Sequence, residues 1–214
     1  MAKERVIQLP ETKGNIKIRG VVTGTKKDKF FETTTDSKGR LYNTVKYGVS
    51  VTDESTIYVE NREMKQENVY FYKKSEVKGE KGTVKKVPYN NYKSFNEDGY
   101  TMLGMKNGLE KHFDLEENKE KNKLVTLPNF DAVKYISETL EDNMQVFIRG
   151  SIDFGSYTNK EGDVKRTTKF VPESVFLTEG IDFNADNYKP TADFVQTFIF
   201  MGIEKDETDR KSVV

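Results

Sequence analysis

The densest meeting of aromatic and cationic residues lies between positions 65 and 93. There 8 Lys stand against 3 Glu, and Tyr70, Phe71, Tyr72, Tyr89 and Tyr92 are interleaved with Lys73, Lys74, Lys78, Lys81, Lys85, Lys86 and Lys93. Together these types suit an unpaired polynucleotide: lysines follow the phosphate backbone while aromatic faces stack on bases, a contact worth about 1–3 kcal/mol per base that tolerates any sequence. Alternate side chains of a strand turn inward, so about half of the aromatics in "NVYFY" are expected to pack rather than to bind. A lysine run in a loop is, by itself, only a solvated run.

Residues that carry catalysis are sparse. The 214-residue chain has no Cys and a single histidine, His112. A lone histidine without a Cys or His companion builds no common zinc site, and no nucleophile elbow or phosphate loop surrounds it. The acidic runs "DLEEN" and "EKDETD" read as solvated charge rather than as paired acids aimed at a cleft. The expectation is a protein that is not an enzyme, with no catalytic residue, no metal and no cofactor.

Lys plus Arg and Asp plus Glu number 35 each, so the whole chain exerts no net pull on a polyanion. Charge is instead segregated: residues 1–50 hold 11 basic against 5 acidic residues, and residues 171–214 hold 4 against 9. Absence of Cys suits a reducing compartment. No apolar run approaches the roughly 18 residues of a membrane span, and "MAKERVIQLPETKG" lacks the apolar centre of a signal peptide. A cytoplasmic protein without a membrane partner is expected.

The elements that must position the basic and aromatic groups read as β. With 14 Phe and 11 Tyr but no Trp, burial leans on aromatic and β-branched residues. "NIKIRGVVTG" places Ile16, Ile18, Gly20 and Val22 on one face and Lys17 and Arg19 on the other. "LYNTVKYGVSV" sets Leu41, Val45, Val49 and Val51 against Tyr42, Thr44 and Lys46, with Gly48 marking a bulge or bend. These two segments are expected to form a long antiparallel pair, with "TTTDSKGR" as the turn between them. "STIYVE" and "NVYFYKKS" read as a hairpin or as two successive strands. Residues 76–128 read as an insertion of loops and short elements. After Pro128, "NFDAVKYISETLEDN" spaces Val133, Ile136 and Leu140 as a short helix, with Asp131 at its positive end and Asn143 at its stop. "MQVFIRGSIDFG", the turn "TNKEGD" and "VKRTTKFVPESVFL" follow as two strands, the second interrupted or ended near Pro172. The expected boundaries are an arm at 1–13, a domain at 14–180 and an acidic C-terminal extension at 181–214, in which 194–203 forms a strand or short helix or begins a further module.

The succession of helix, "VFIRGSI", "TNKEGD" and "RTTKFV" resembles the second half of the bacterial-type single-stranded-DNA-binding protein family. "NIKIRGVVTG" and "YNTVKYGVSV" are similar, more loosely, to its first two strands. The resemblance implies an all-β fold with one short helix: a five-stranded Greek-key OB-fold barrel, here with a long insertion at 76–128 and a C-terminal extension. It also implies single-stranded DNA as the partner, bound without sequence preference, with replication or recombination proteins as further partners, and it is compatible with a homo-oligomer. The insertion resembles a phage or plasmid version. That family commonly stacks bases on Trp, so Tyr and Phe are expected to take that part here; its acidic, aromatic-ended tail has no counterpart in "DRKSVV", which implies either that this route to partners is lost or that the sequence is a fragment.

On that fold the expected nucleic-acid-binding residues are Lys17, Arg19, Tyr42 and Lys46 from the first strands and Tyr70, Tyr72, Lys73, Lys74, Lys85, Lys86 and Tyr89 from the cluster. The later strands add Phe147, Arg149, Tyr157, Lys165, Arg166 and Lys169. Ile-Arg-Gly occurs twice, at 18–20 and 148–150; both glycines fall on the inner face, where a small barrel must bend. The alternative is an OB-fold interaction module or virion structural component, its aromatics buried in an interface.

Overall fold

The computed structural model describes residues 14–159 and 161–200. Period-two apolar patterning turns most of them into strands: β1 (Gly14–Thr23), β2 (Phe31–Thr35), β3 (Leu41–Ser50), β4 (Thr56–Met64), β5 (Asn68–Lys73), β6 (Thr83–Pro88), β7 (Thr101–Leu103), β8 (Met105–Gly108), β9 (Lys111–Asp114), β10 (Lys119–Asn122) and β11 (Val125–Leu127). Helix α1 (Asn129–Thr139) is followed by β12 (Gln145–Thr158), β13 (Val164–Leu177) and β14 (Thr191–Gln196). Among the described residues the fold is thus mostly β with one α-helix, as expected. A nine-stranded sheet runs β11, β8, β13, β12, β1, β3, β2, with β4 on β3 and β14 on β1; β6, β5 and β7 form a second sheet, and β9 and β10 a third.

The predicted inner faces hold. Ile18 and Val22 of β1, Val45 and Val49 of β3, Val59 of β4, and Val146 and Ile148 of β12 are buried together with Ala132, Val133, Ile136 and Leu140 of the helix region. The helix ends where Leu140 N–H bonds the Ile136 carbonyl. Asn143 then takes a left-handed φ of 72°, a conformation asparagine tolerates, and its N–H bonds the Val22 carbonyl at 2.9 Å, returning the chain to β1.

The two Ile-Arg-Gly segments lie side by side in β1 and β12, antiparallel, with Ile18 opposite Ile148. Along its other edge β1 changes partner: Gly14–Arg19 pair with β14 and Val21–Thr23 with β3. Gly20 falls at the change, where a Cβ would press on the Ser50 carbonyl oxygen. The β12–β13 register shifts between Arg149 and Gly150, and a Cβ on Gly150 would press on the Val171 carbonyl. Both glycines therefore serve close backbone approach at a bend. Pro172 sits at that shift, and β13 continues past it.

Several pairings differ from the sequence expectation because strand partners are chosen at long range. β1 and β3 share only three residue pairs, since β12 and β14 occupy most of β1 while β2 and β4 flank β3. The first half of "TTTDSKGR" belongs to β2, and the turn proper is closed by Asp36 accepting from the Lys38 and Arg40 N–H groups. Gly48 makes no bulge: the β3–β4 register is unbroken from Tyr42–Met64 to Ser50–Thr56. Of the two readings of "STIYVE" and "NVYFYKKS", successive strands holds rather than a hairpin: β4 joins the large sheet and β5 the small one. The small sheet has its own core of Val69, Phe71, Val87 and Tyr92, and β6 to β11 fall within 76–128, so that stretch consists largely of short strands and their connections. In the extension, β14 is part of the large sheet, whereas the 1–13 arm and residues 201–214 lie outside the described residues. Between β4 and β13 no ladder forms among the described residues, but Lys169 Nζ reaches within 3.9 Å of Glu60.

Candidate nucleic-acid interface

Because Val45, Tyr47 and Val49 point inward, strand alternation turns Tyr42, Lys46 and Gly48 of β3 outward. On β4, inward Val59 and Asn61 leave Tyr58, Glu60 and Arg62 outward. Register sets Gly48 opposite Tyr58, Lys46 opposite Glu60 and Tyr42 opposite Met64. Tyr58, facing a glycine, has no side chain over it from β3 and is 74% exposed, with Lys27 Nζ 6.0 Å from its ring centre. The Arg62 guanidinium lies 4.1 Å from the Tyr42 ring, and Arg40 approaches the same ring to 6.0 Å. Lys46 Nζ is 3.6 Å from Glu60. At one end of this face, Lys27, Lys46, Tyr58, Glu60, Lys169 and Phe170 line a cavity of about 340 Å³. Buried Tyr47 also lines it; its hydroxyl has no hydrogen-bond partner, and burial pushes the phenol pKa up. Beyond the Leu41–Met64 end lies a second cavity of about 710 Å³ that includes Arg40, Lys65, Tyr70, Lys86 and Tyr89.

The outer face of β1 and β12 carries a second patch. Lys17 stands opposite Arg149 and Arg19 opposite Phe147. Arg149 stacks its guanidinium 5.1 Å from the Phe147 ring. Arg19 is engaged otherwise, its Nη2 donating to the Glu179 carbonyl at 2.5 Å, and Lys17 has Asp193 opposite it on β14. Arg149 lines a cavity of about 560 Å³ with Lys106, Asn129 and Glu63, whose carboxyl is pushed up by burial and partly restored by a hydrogen bond from Asn129.

In the aromatic-lysine cluster, structure and binding compete for the same residues. Phe71 is buried, whereas Tyr70 is exposed and faces Lys86 across the β5–β6 pair. Tyr72 is half-buried beside Gly82. Lys73 donates to the Asp98 carbonyl at 3.1 Å, and Lys85 pairs with Glu97 while lying 5.2 Å from the Phe95 ring. Lys74 is exposed. Tyr89 and Tyr92 each donate a hydroxyl to one carboxylate oxygen of Asp131, joining the small sheet to the helix. Burial first, then Asp131, pushes both phenols up. Lys65 covers the Tyr89 ring at 4.7 Å.

On the β12–β13 arm, exposed Tyr157 is opposite Lys165, which pairs with Asp163 at 3.4 Å. Alternation puts Lys165 and Lys169 on one face and Arg166 on the other. The seventeen residues singled out from sequence thus fall into several patches. Tyr42, Lys46 and Lys169 share the β3–β4 face, Tyr70, Lys86 and Tyr89 its continuation, Lys17, Arg19, Phe147 and Arg149 the β1–β12 face, and Tyr157, Lys165 and Arg166 the arm. Tyr72, Lys73 and Lys85 belong to the small sheet, and Lys74 follows the end of β5. Tyr58, Lys27, Arg40 and Arg62 were missed. The available signal for Tyr58 was its place beside Val59 in "STIYVE", where an inward valine forces its neighbour out.

Among the described residues no three His, Asp or Glu side chains gather to hold a metal ion, and no helix is long and apolar enough to cross a membrane. His112 is exposed on β9, opposite Lys121. The YorF family model matches residues 74–214, which begin just after β5 and include β6 to β14, and the chain belongs to that family. The β3–β4 face precedes the matched span. No curated protein matches the chain.

Proposed function

We propose that this member of the YorF family binds single-stranded DNA without sequence preference, shielding unwound strands during replication or recombination in the cytoplasm of a phage-infected or plasmid-bearing cell. The observation that carries this reading is the outward face of β3 and β4, where exposed Tyr58 and Arg62-stacked Tyr42 lie among Lys27, Lys46, Lys169 and Arg40. Aromatic platforms bordered by cations recognise bases by stacking and the backbone by charge, whatever the sequence. The steps from Tyr58 to Met64 cover about 20 Å at the usual strand rise, a track for a short run of nucleotides toward the cavity at Tyr70 and Lys86.

We read the connectivity as an OB-fold. β1, β3 and β4 serve as the first three barrel strands, α1 as the intervening helix, and β12 and β13 as the last two, with Lys169 and Glu60 marking where β13 comes round to β4. The β12–β13 arm then borders the groove. Binding needs neither metal nor cofactor, and no turnover is assigned.

Titration of an oligothymidine at increasing salt tests the proposal. With about four phosphates contacted, affinity should fall about fifty-fold between 50 and 200 mM salt, and duplex DNA should bind far more weakly. Equal affinity for duplex and single strand, or no binding at low salt, overturns it. A second reading, as an assembly module, is favoured by the exposed Phe154, Phe194, Val195, Phe198 and Phe200. Under that reading the sedimentation coefficient rises with protein concentration and oligothymidine leaves tyrosine fluorescence unchanged.

A further inference from the structure

Among the described residues Glu60 is the only carboxylate lining the β3–β4 cavity, and it sits between two lysines from different strands. Lys46 Nζ lies 3.6 Å and Lys169 Nζ 3.9 Å from it, on β3 and β13 respectively. Both lysines and the glutamate are roughly half exposed, beside the open ring of Tyr58. A carboxylate held between two ammonium groups occupies the position that a phosphate of a stacked strand would take: same charge sign, same acceptor oxygens, same partners.

We propose that Glu60 is an internal competitor for the phosphodiester backbone, a built-in anion that must leave Lys46 and Lys169 before a strand can engage them. This rests on the single-strand-binding reading of the same face. Its consequence is a site tuned to hold a strand loosely: part of each lysine's attraction is spent within the protein, and Glu60 takes the lysines back when the strand departs. Removing the carboxylate therefore strengthens binding, the opposite of what loss of a contact residue does.

The test compares wild type with Glu60→Gln by fluorescence anisotropy on labelled oligothymidine and oligouridine, after confirming that melting is unchanged. Glu60→Gln should bind about three- to tenfold more tightly, the size expected when two exposed ion pairs no longer have to be broken. The logarithmic salt slope should steepen by about 0.7, one further phosphate neutralised. Both oligonucleotides should gain alike, because the backbone phosphate is common to them; a gain confined to one would mean that Glu60 reads base or sugar and would overturn the proposal. Glu116→Gln is the control, since exposed Glu116 lies in the turn between β9 and β10, in another sheet, and its loss changes the net charge equally. An equal gain there assigns the effect to overall charge and also overturns it. The gain must disappear when Lys46→Ala and Lys169→Ala are added to Glu60→Gln. If wild type binds oligothymidine and Tyr58→Ala weakens it, yet Glu60→Gln is neutral or weaker, the competitor role fails while the binding function stands. If neither wild type nor Glu60→Gln binds any single strand, the function itself fails.

Discussion

Replacing Tyr58 by alanine isolates base stacking from folding. The ring is 74% exposed, faces Gly48 across the strand pair, and belongs to neither hydrophobic core. Its removal deletes little buried surface and leaves no donor unpaired inside the protein, so the melting temperature should stay within about a degree of wild type, as for other exposed sites. Stacking of one base on one aromatic ring is worth about 1–3 kcal/mol, which corresponds to a loss of about 5- to 150-fold in affinity. Tyr58→Phe retains the ring and should retain most of the affinity. Lys27, 6.0 Å from the ring, shares the position with any bound base, so the salt slope should change little in Tyr58→Ala: the lost energy is stacking, not charge. The assay is anisotropy of a labelled oligothymidine at one fixed salt concentration, with quenching of tyrosine fluorescence as a second readout. Unchanged affinity in a normally folded Tyr58→Ala protein would refute the assignment of the β3–β4 face, and equal losses in Tyr58→Ala and Tyr58→Phe would show that the hydroxyl rather than the ring is used.

Arg19 and Arg149 should separate despite their matching surroundings: Arg19→Ala lowers thermal stability by releasing the Glu179 carbonyl, whereas Arg149→Ala spares stability and weakens oligonucleotide binding several-fold. Gly150→Ala forces a methyl against the Val171 carbonyl and should cost about 1–3 kcal/mol in chemical denaturation, with Gly20→Ala similar at Ser50. Asp131→Ala strips the acceptor from two tyrosine hydroxyls; expected are a loss of about 1–3 kcal/mol and, in an absorbance titration, phenol ionisation at lower pH for Tyr89 and Tyr92. Glu63 has a raised pKa from burial, so its charged form destabilises the fold: the cost is absent below the ordinary carboxylate value and grows as pH rises through the folded value. Glu63→Gln should therefore melt higher than wild type at about pH 7 and alike at about pH 3.

What sequence disclosed was what is local. Strand parity is a property of neighbouring residues, so the inward Ile18 and Ile148 and the outward Phe147–Arg149 pair were legible in two short segments, as was the helix between Pro128 and Asn143. Partners were not legible, because a strand's alternation says which way side chains face and nothing of which edge comes alongside. Hence β1 was matched with β3 along its length, when β12 and β14 take most of it. The lysine cluster misled for a related reason. Lys85 is paired by Glu97 and Lys73 by the Asp98 carbonyl, both from the loop leading into β7, and Tyr89 is claimed by a helix carboxylate 42 positions away. Charge density along the chain could not reveal those private partners. Tyr58 escaped notice because its strand could be turned either way until Val59 was seen to lie opposite Tyr47.

The pairing of β14 with β1 also bears on how the molecule comes into being. The first described strand is gripped by the last, and Arg19 reaches a carbonyl 160 positions downstream. During synthesis, then, β1 waits: β12 and β14 emerge from the ribosome long after it, while the small sheet, with its local pairings, can settle early. Such distant closure slows folding, since the loop must shut before its contacts repay it. Formation of the basic face on β1 therefore waits for synthesis of β14, so a chain interrupted before residue 191 should lack it.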